Sequence, residues 1–149
     1  MQKVFSLFQV SKSQKSNEDD TVLEPKYQKS GLTEDDAFDI KRKIEAAFKK
    51  DKLYRDNSIG LNDLSEYINE DRYKVSQVLN EYLKKNFYAL LNHYRIEDAK
   101  ELLLSQPFLS VKSVMYEVGF NSKASFYLAF KKETGLSPND YRSVAIYVS

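Results

Sequence analysis

From Thr33 onward, apolar positions along this chain return every three or four residues, the period of a helix buried on one side. Thr33 followed by Glu34, Asp35 and Asp36 reads as a helix start, with acids placed where they complement the helix dipole. Ala37, Ile40, Ile44, Ala47 and Phe48 then form an apolar stripe, and Lys49, Lys50 and Lys52 gather at its C-terminal end. Upstream, residues 11–20 offer nothing apolar to bury, and Pro25 and Gly31 keep the next stretch irregular. Residues 1–31 therefore read as a flexible tail or tether.

The pattern then repeats a motif. Leu61, Leu64, Tyr67 and Ile68 make a short stripe ending at Asn69, a residue that tolerates left-handed backbone. Asp71 caps the helix after it, with Val75, Val78, Leu79 and Leu83 inward and Tyr73, Ser76, Gln77 and Asn80 outward. Farther on, Ser110 caps Val111, Val114, Met115 and Val118, and Gly119 stops that helix. Ser122 caps a second helix, from about Lys123 to Thr134, stopped by Gly135. Phe126, Ala129, Phe130 and Glu133/Thr134 take one side of it, and Lys123, Ala124, Tyr127, Leu128 and Lys131 the other. Each pair fits a helix-turn-helix.

Between the pairs, Asn86 caps a long helix from Phe87 to about Leu104, whose Phe87, Leu90, Leu91, Tyr94, Ala99, Leu102 and Leu103 are available to both cores. Its length of about 27 Å approaches the spacing of about 34 Å between successive major-groove segments on one face of B-DNA. The predicted fold is all-α: an amphipathic helix in residues 32–56, then a domain over 57–149. That domain holds a first helix-turn-helix at about 60–84, a linker helix at 87–104 and a second helix-turn-helix at 110–134. The stripe of residues 33–50 either packs on the domain behind it or serves a homodimer partner or a sensor region.

Composition narrows the chemistry. The 149 residues contain no cysteine, which excludes a disulfide framework and thiolate metal sites and fits a reducing cytoplasm. No apolar run approaches the roughly 20 residues of a membrane span, and the first ten residues lack a small-residue cleavage site, which argues against a secretory signal. Net charge is only +1, but between residues 121 and 132 the lysines Lys123, Lys131 and Lys132 have no acid among them. The single histidine, His93, has no cysteine or second histidine beside it and reads as structural. No catalytic constellation stands out, so no enzyme, metal or cofactor is expected.

The outward faces of the two second helices carry the candidate chemistry. Gln makes bidentate contacts to adenine, Lys donates to guanine and an apolar side chain meets the thymine methyl. Tyr73, Ser76, Gln77, Lys123, Ala124, Tyr127 and Leu128 are the candidate base readers, with Gln77 and Lys123 leading. Arg72, Lys74, Asn80, Ser122, Lys131 and Lys132 are placed for phosphates, which supply affinity and register.

The run VGF at 118–120, followed by ASFYLAFKKETGLSPNDYR at 124–142, resembles the C-terminal signature of the AraC/XylS transcription regulators, and the likeness extends back to about Ile59. It implies a double helix-turn-helix domain that binds double-stranded promoter DNA, regulates transcription as an activator and contacts RNA polymerase. The stretch at 26–32 is similar to the juncture of longer members, where a sensor or membrane region precedes the DNA-binding domain. That likeness implies the cytosolic end of a larger protein. Four positions depart from the pattern. Gln77 and Leu128 stand where arginine is frequent, Lys84 where glycine ends the first recognition helix, and Met115 where a small alanine is usual. With net charge near zero, the missing arginines motivate an alternative: a helical protein-interaction module that has kept the fold and lost specific DNA affinity.

Overall fold

The computed structural model describes residues 31–148, with side chains as far as Ile146, and every regular element among them is helical. In order these are α1 (Glu34–Lys49), a 3-10 turn (Leu53–Arg55), α2 (Leu61–Tyr67), α3 (Arg72–Gln77) running into a π-helical turn (Val78–Tyr82), α4 (Phe87–Ser105), α5 (Val111–Val118), α6 (Lys123–Thr134) and α7 (Pro138–Val148). The tail expected over 1–31 lies, Gly31 aside, outside the described residues. Contacts group residues 31–51 with 60–90 in one unit and 52–59 with 91–148 in a second.

In the first unit the Thr33 hydroxyl accepts the Asp36 N–H at 3.1 Å and starts α1. All five residues of the expected stripe, Ala37, Ile40, Ile44, Ala47 and Phe48, are buried, and α1 packs against the π turn. The stripe is thus covered within the chain. Lys43 reaches Glu70 at 2.6 Å, and the Tyr67 hydroxyl donates to Asp51 at 2.7 Å. These bonds hold the C-terminal end of α2 and the corner after it close to α1.

Two features depart from the sequence reading. Helix α1 stops at Lys49, and Lys52 turns the backbone at φ +50. The residues after it belong with the second unit, because Tyr54 is buried there, so the contacts divide the chain elsewhere than at residue 56. The second departure is the π turn, in which the Leu83 N–H donates to the Val78 carbonyl at 3.0 Å. One widened turn barely disturbs a 3.6-residue apolar period, so the sequence reads as uninterrupted helix. Lys84 follows at φ +57, the left-handed conformation that a glycine would take without strain.

In the second unit, Ile96, Ala99 and Leu103 of α4, Val114, Met115 and Val118 of α5, Phe120 of the corner, and Phe126 and Phe130 of α6 form one core. Met115, 4% exposed, is accommodated in it. Phe120, Phe126 and Phe130 meet at centroid distances of 5.2 and 5.8 Å, and Tyr141 of α7 closes edge-on to Phe130 at 5.4 Å. Pro138 begins α7 behind Ser137, whose hydroxyl accepts the Asp140 N–H at 3.1 Å. From α7, Arg142 donates to the carbonyls of Leu103 and Gln106, capping the C-terminal end of α4.

A polar knot centred on the buried Asp98 joins the 3-10 turn to α4 and α5. Asp98 accepts from Arg55 Nε at 2.8 Å and from the Tyr54 hydroxyl at 2.7 Å, and a second Arg55 nitrogen meets Glu117 at 3.0 Å. Burial pulls the Asp98 carboxyl upward, but hydrogen bonds from Arg55 and Tyr54 outweigh it, so the group titrates below its ordinary range. Burial, then the Asp98 carboxylate, pushes the Tyr54 phenol well above its ordinary value. Arg95, 7% exposed, donates to the carbonyls of Tyr54 and Asp56 and lies over the Phe120 ring. The apolar pattern of α4 does not include Arg95, Ile96 or Asp98, all buried, while Tyr94 and Leu102 are only half-buried.

Candidate nucleic-acid interface

In the second unit the corner is built by its caps. Ser110 accepts the Ser113 N–H at 3.0 Å, and Gly119 ends α5 at φ +111. Ser122 then accepts the Ser125 N–H at 3.2 Å and starts α6. A Cβ at Gly119 would stand 2.5 Å from the Tyr54 carbonyl oxygen and 2.7 Å from Arg95 Nε, so the corner needs glycine for space as well as for φ.

Burying Phe126 and Phe130 settles which way α6 faces. Ala124, Leu128, Lys131 and Lys132 are all exposed, Leu128 by 74%. Ser125, which is not among the sequence candidates, shares this exposed face. Lys123 is exposed at the first turn, with its ammonium 5.3 Å from the Tyr127 ring centroid. Tyr127 itself is half-buried, packed on the core and edge-on to Phe126, so it is in large part a structural residue.

Between α5 and α6 lies a groove of about 390 Å³ lined by Lys112, Met115, Tyr116, Lys123 and Tyr127 among others. It brings Lys112, which the sequence reading missed, to the same side as Lys123. The two acids closest to this face in sequence are turned to partners within the unit: Glu117 to Arg55, and Glu133 to His93. Cationic side chains consequently dominate the exposed side of α6.

In the first unit the second helix of the pair is shorter and its polar groups are satisfied differently. Asp71 caps α3 through the Tyr73 N–H at 3.0 Å. Arg72 and Tyr73 are exposed, with the guanidinium 5.9 Å from the Tyr73 ring centroid, and Lys74, Gln77 and Asn80 are half-buried. Gln77 donates through its amide to Glu81 at 3.2 Å, one turn on. The expectation for Ser76 is corrected: at 2% exposure it lies in the interior and cannot meet a base edge. The stripe through Val75, Val78 and Leu79 is broad enough to enclose it, and a serine is small enough to be enclosed.

Two corner-joined helix pairs, each presenting a second helix with an exposed polar face, place this chain among the helix-turn-helix proteins. A family model described as a helix-turn-helix domain matches residues 64–143, more than half the chain, and the protein belongs to that family, the AraC-type helix-turn-helix proteins. An uncharacterised HTH-type transcriptional regulator of Staphylococcus aureus strain COL is 34% identical over 91 residues, covering 61% of this chain and 12% of the relative. The raffinose operon transcriptional regulatory protein of Pediococcus pentosaceus is 35% identical over 80 residues, covering 54% of this chain and 28% of its own. The chain thus spans only a small part of the length of these relatives. Among solved structures, the C-terminal domain of AraT, a response regulator from Geobacillus stearothermophilus, superposes with a TM-score of 0.60 at 30% identity, covering 70% of this chain and 84% of that one. Among the described residues no helix is long and apolar enough to cross a membrane.

Proposed function

We propose that this chain is a sequence-specific DNA-binding transcription regulator, or the DNA-reading part of one, in which α3 and α6 each enter a major-groove segment. The observation that carries this reading is the face of α6. Leu128, exposed by 74%, sits among Ala124, Ser125, Lys131 and Lys132, with Phe126 and Phe130 fully buried behind them. An exposed leucine with two lysines one turn on suits a thymine methyl beside a phosphate. Lys123 is the leading polar base reader on α6 and Gln77 on α3, with Tyr73 beside Gln77 and Tyr127 orienting Lys123. Arg72, Lys74, Asn80, Ser122, Lys131 and Lys132 hold phosphates, and Lys112 joins them from α5. The protein works by binding rather than by covalent chemistry, at promoter DNA, in the cytoplasm. Activation through RNA polymerase extends the same reading.

The test is selection of the full chain against a randomised duplex pool at two salt concentrations, with sequencing of the retained fraction. Enrichment of a bipartite motif, one half altered by Gln77→Ala and the other by Lys123→Ala, is the expected result. If nothing is enriched and all retention disappears with salt, the reading fails. The domain is then a helical protein-interaction module, the reading favoured by the Gln77–Glu81 bond and the near-neutral net charge.

A further inference from the structure

The one histidine of the chain is not isolated in the fold. His93 and Glu97 are four residues apart on α4, so their side chains rise from the same face one turn apart. Glu133, near the C-terminal end of α6, comes to them from across the unit: His93 Nδ1 lies 3.2 Å from both of its carboxylate oxygens. One ligand atom from each of the three residues falls within 4.8 Å of the others. Two ligands bound to one ion at roughly 2.0–2.2 Å and tetrahedral to octahedral angles are themselves about 3 Å apart, which is the His93–Glu133 separation before any ion enters. His93 is half-buried and both glutamates are exposed, so an ion has a path in and water can complete its coordination.

We propose that His93, Glu97 and Glu133 form a three-ligand site for a divalent transition-metal cation, for which Zn2+ is the natural probe. An imidazole nitrogen with two carboxylates is a mixed donor set of the kind that takes Zn2+ and its first-row neighbours. The site clips the end of α6 to α4. It does not depend on the DNA-binding reading. The competing cation is built in: Lys100 reaches Glu97 at 2.9 Å and also feels the charge of Glu133. A metal ion must displace that ammonium, which holds the affinity to a moderate level.

With no cysteine and a single histidine in the sequence, the readout is clean. The untagged full chain is titrated with ZnCl2 by calorimetry, and in parallel the rate at which diethyl pyrocarbonate modifies the histidine is followed at 240 nm. A saturable uptake of one Zn2+ per chain is expected, with a fall of about tenfold in the modification rate, because the coordinated nitrogen is no longer nucleophilic. His93→Gln should abolish the uptake, and Glu97→Gln and Glu133→Gln should each weaken it by about tenfold. Lys100→Gln should tighten it several-fold by removing the competing charge. Uptake unchanged in the His93→Gln variant, an unprotected histidine at saturating Zn2+, or no tightening in Lys100→Gln would each overturn the proposal.

Discussion

Arg55 and Asp98 lie 43 residues apart in sequence and meet through two hydrogen bonds, of 2.8 and 3.1 Å, made by two nitrogens of one guanidinium to the two oxygens of one carboxylate. Asp98 is 7% exposed and takes the Tyr54 hydroxyl as well. The pair therefore binds the short turn after α1 to the linker helix in the second unit. Asp98→Asn should cost about 2 kcal/mol, since it removes a charge-assisted bidentate contact and leaves a buried polar group poorly matched. Urea unfolding monitored by circular dichroism measures this as a lower midpoint at unchanged slope.

The same carboxylate sets an acid limit. Its folded pKa is depressed, so its contribution is fully present above the unfolded value of about 3.9 and is lost as pH falls through the lower folded value. Between about pH 5 and pH 2, stability of the wild type should fall more steeply than that of Asp98→Asn, and the two curves should converge at the acid end. Parallel curves across that interval would show that Asp98 is not held ionised.

Gly119 and Gly135 both end helices with positive φ, yet substitution should separate them. At Gly119 a Cβ meets the Tyr54 carbonyl at 2.5 Å, a backbone atom that cannot swing aside, whereas at Gly135 nothing lies within 4 Å. Gly135→Ala should cost about 1 kcal/mol for the conformation alone. Gly119→Ala should cost about 3 kcal/mol or more, because overlap is added to strain. Melting temperatures of the two variants in one buffer make the comparison.

Lys84 is the opposite case, a residue with a side chain at φ +57. Lys84→Gly should stabilise the protein by up to about 1 kcal/mol, as relief of left-handed strain exceeds the added freedom of the unfolded chain. An unchanged or lower denaturation midpoint would show that the lysine side chain stabilises this turn by something other than backbone conformation.

On the proposed DNA face, Lys131→Ala and Lys132→Ala should each lower the slope of log K against log salt by about 0.9 while leaving the preferred sequence unchanged. Leu128→Ala should change the preference itself. Ser76→Ala, in the interior, should change stability and not sequence preference. Fluorescence anisotropy with the selected duplex at several salt concentrations, together with thermal melts, separates the three behaviours.

Features that depend on neighbours along the chain are legible in its residues alone. Thr33, Asp71, Asn86, Ser110 and Ser122 each cap a helix as their position before an apolar stripe requires, because a cap bonds to an amide only two or three residues away. The five-residue stripe of α1, Phe126 and Phe130 of α6, and the glycine stops follow from helical period and from backbone φ in the same way. Features that depend on distant partners emerge with packing. Arg95 and Asp98 interrupt an apolar pattern and look solvated until Tyr54, Arg55 and Asp56 arrive from some 40 residues upstream to satisfy them. Ser76 counts as outward on a helical wheel until α3 packs deeply enough to enclose it. His93 reads as a lone histidine because Glu133 is 40 residues away, and only the packing of α6 on α4 brings the carboxylate within 3.2 Å. Local bonds have a sequence signature because the chain itself supplies both partners at short range, whereas long-range polar contacts are chosen by shape and charge once the cores have formed.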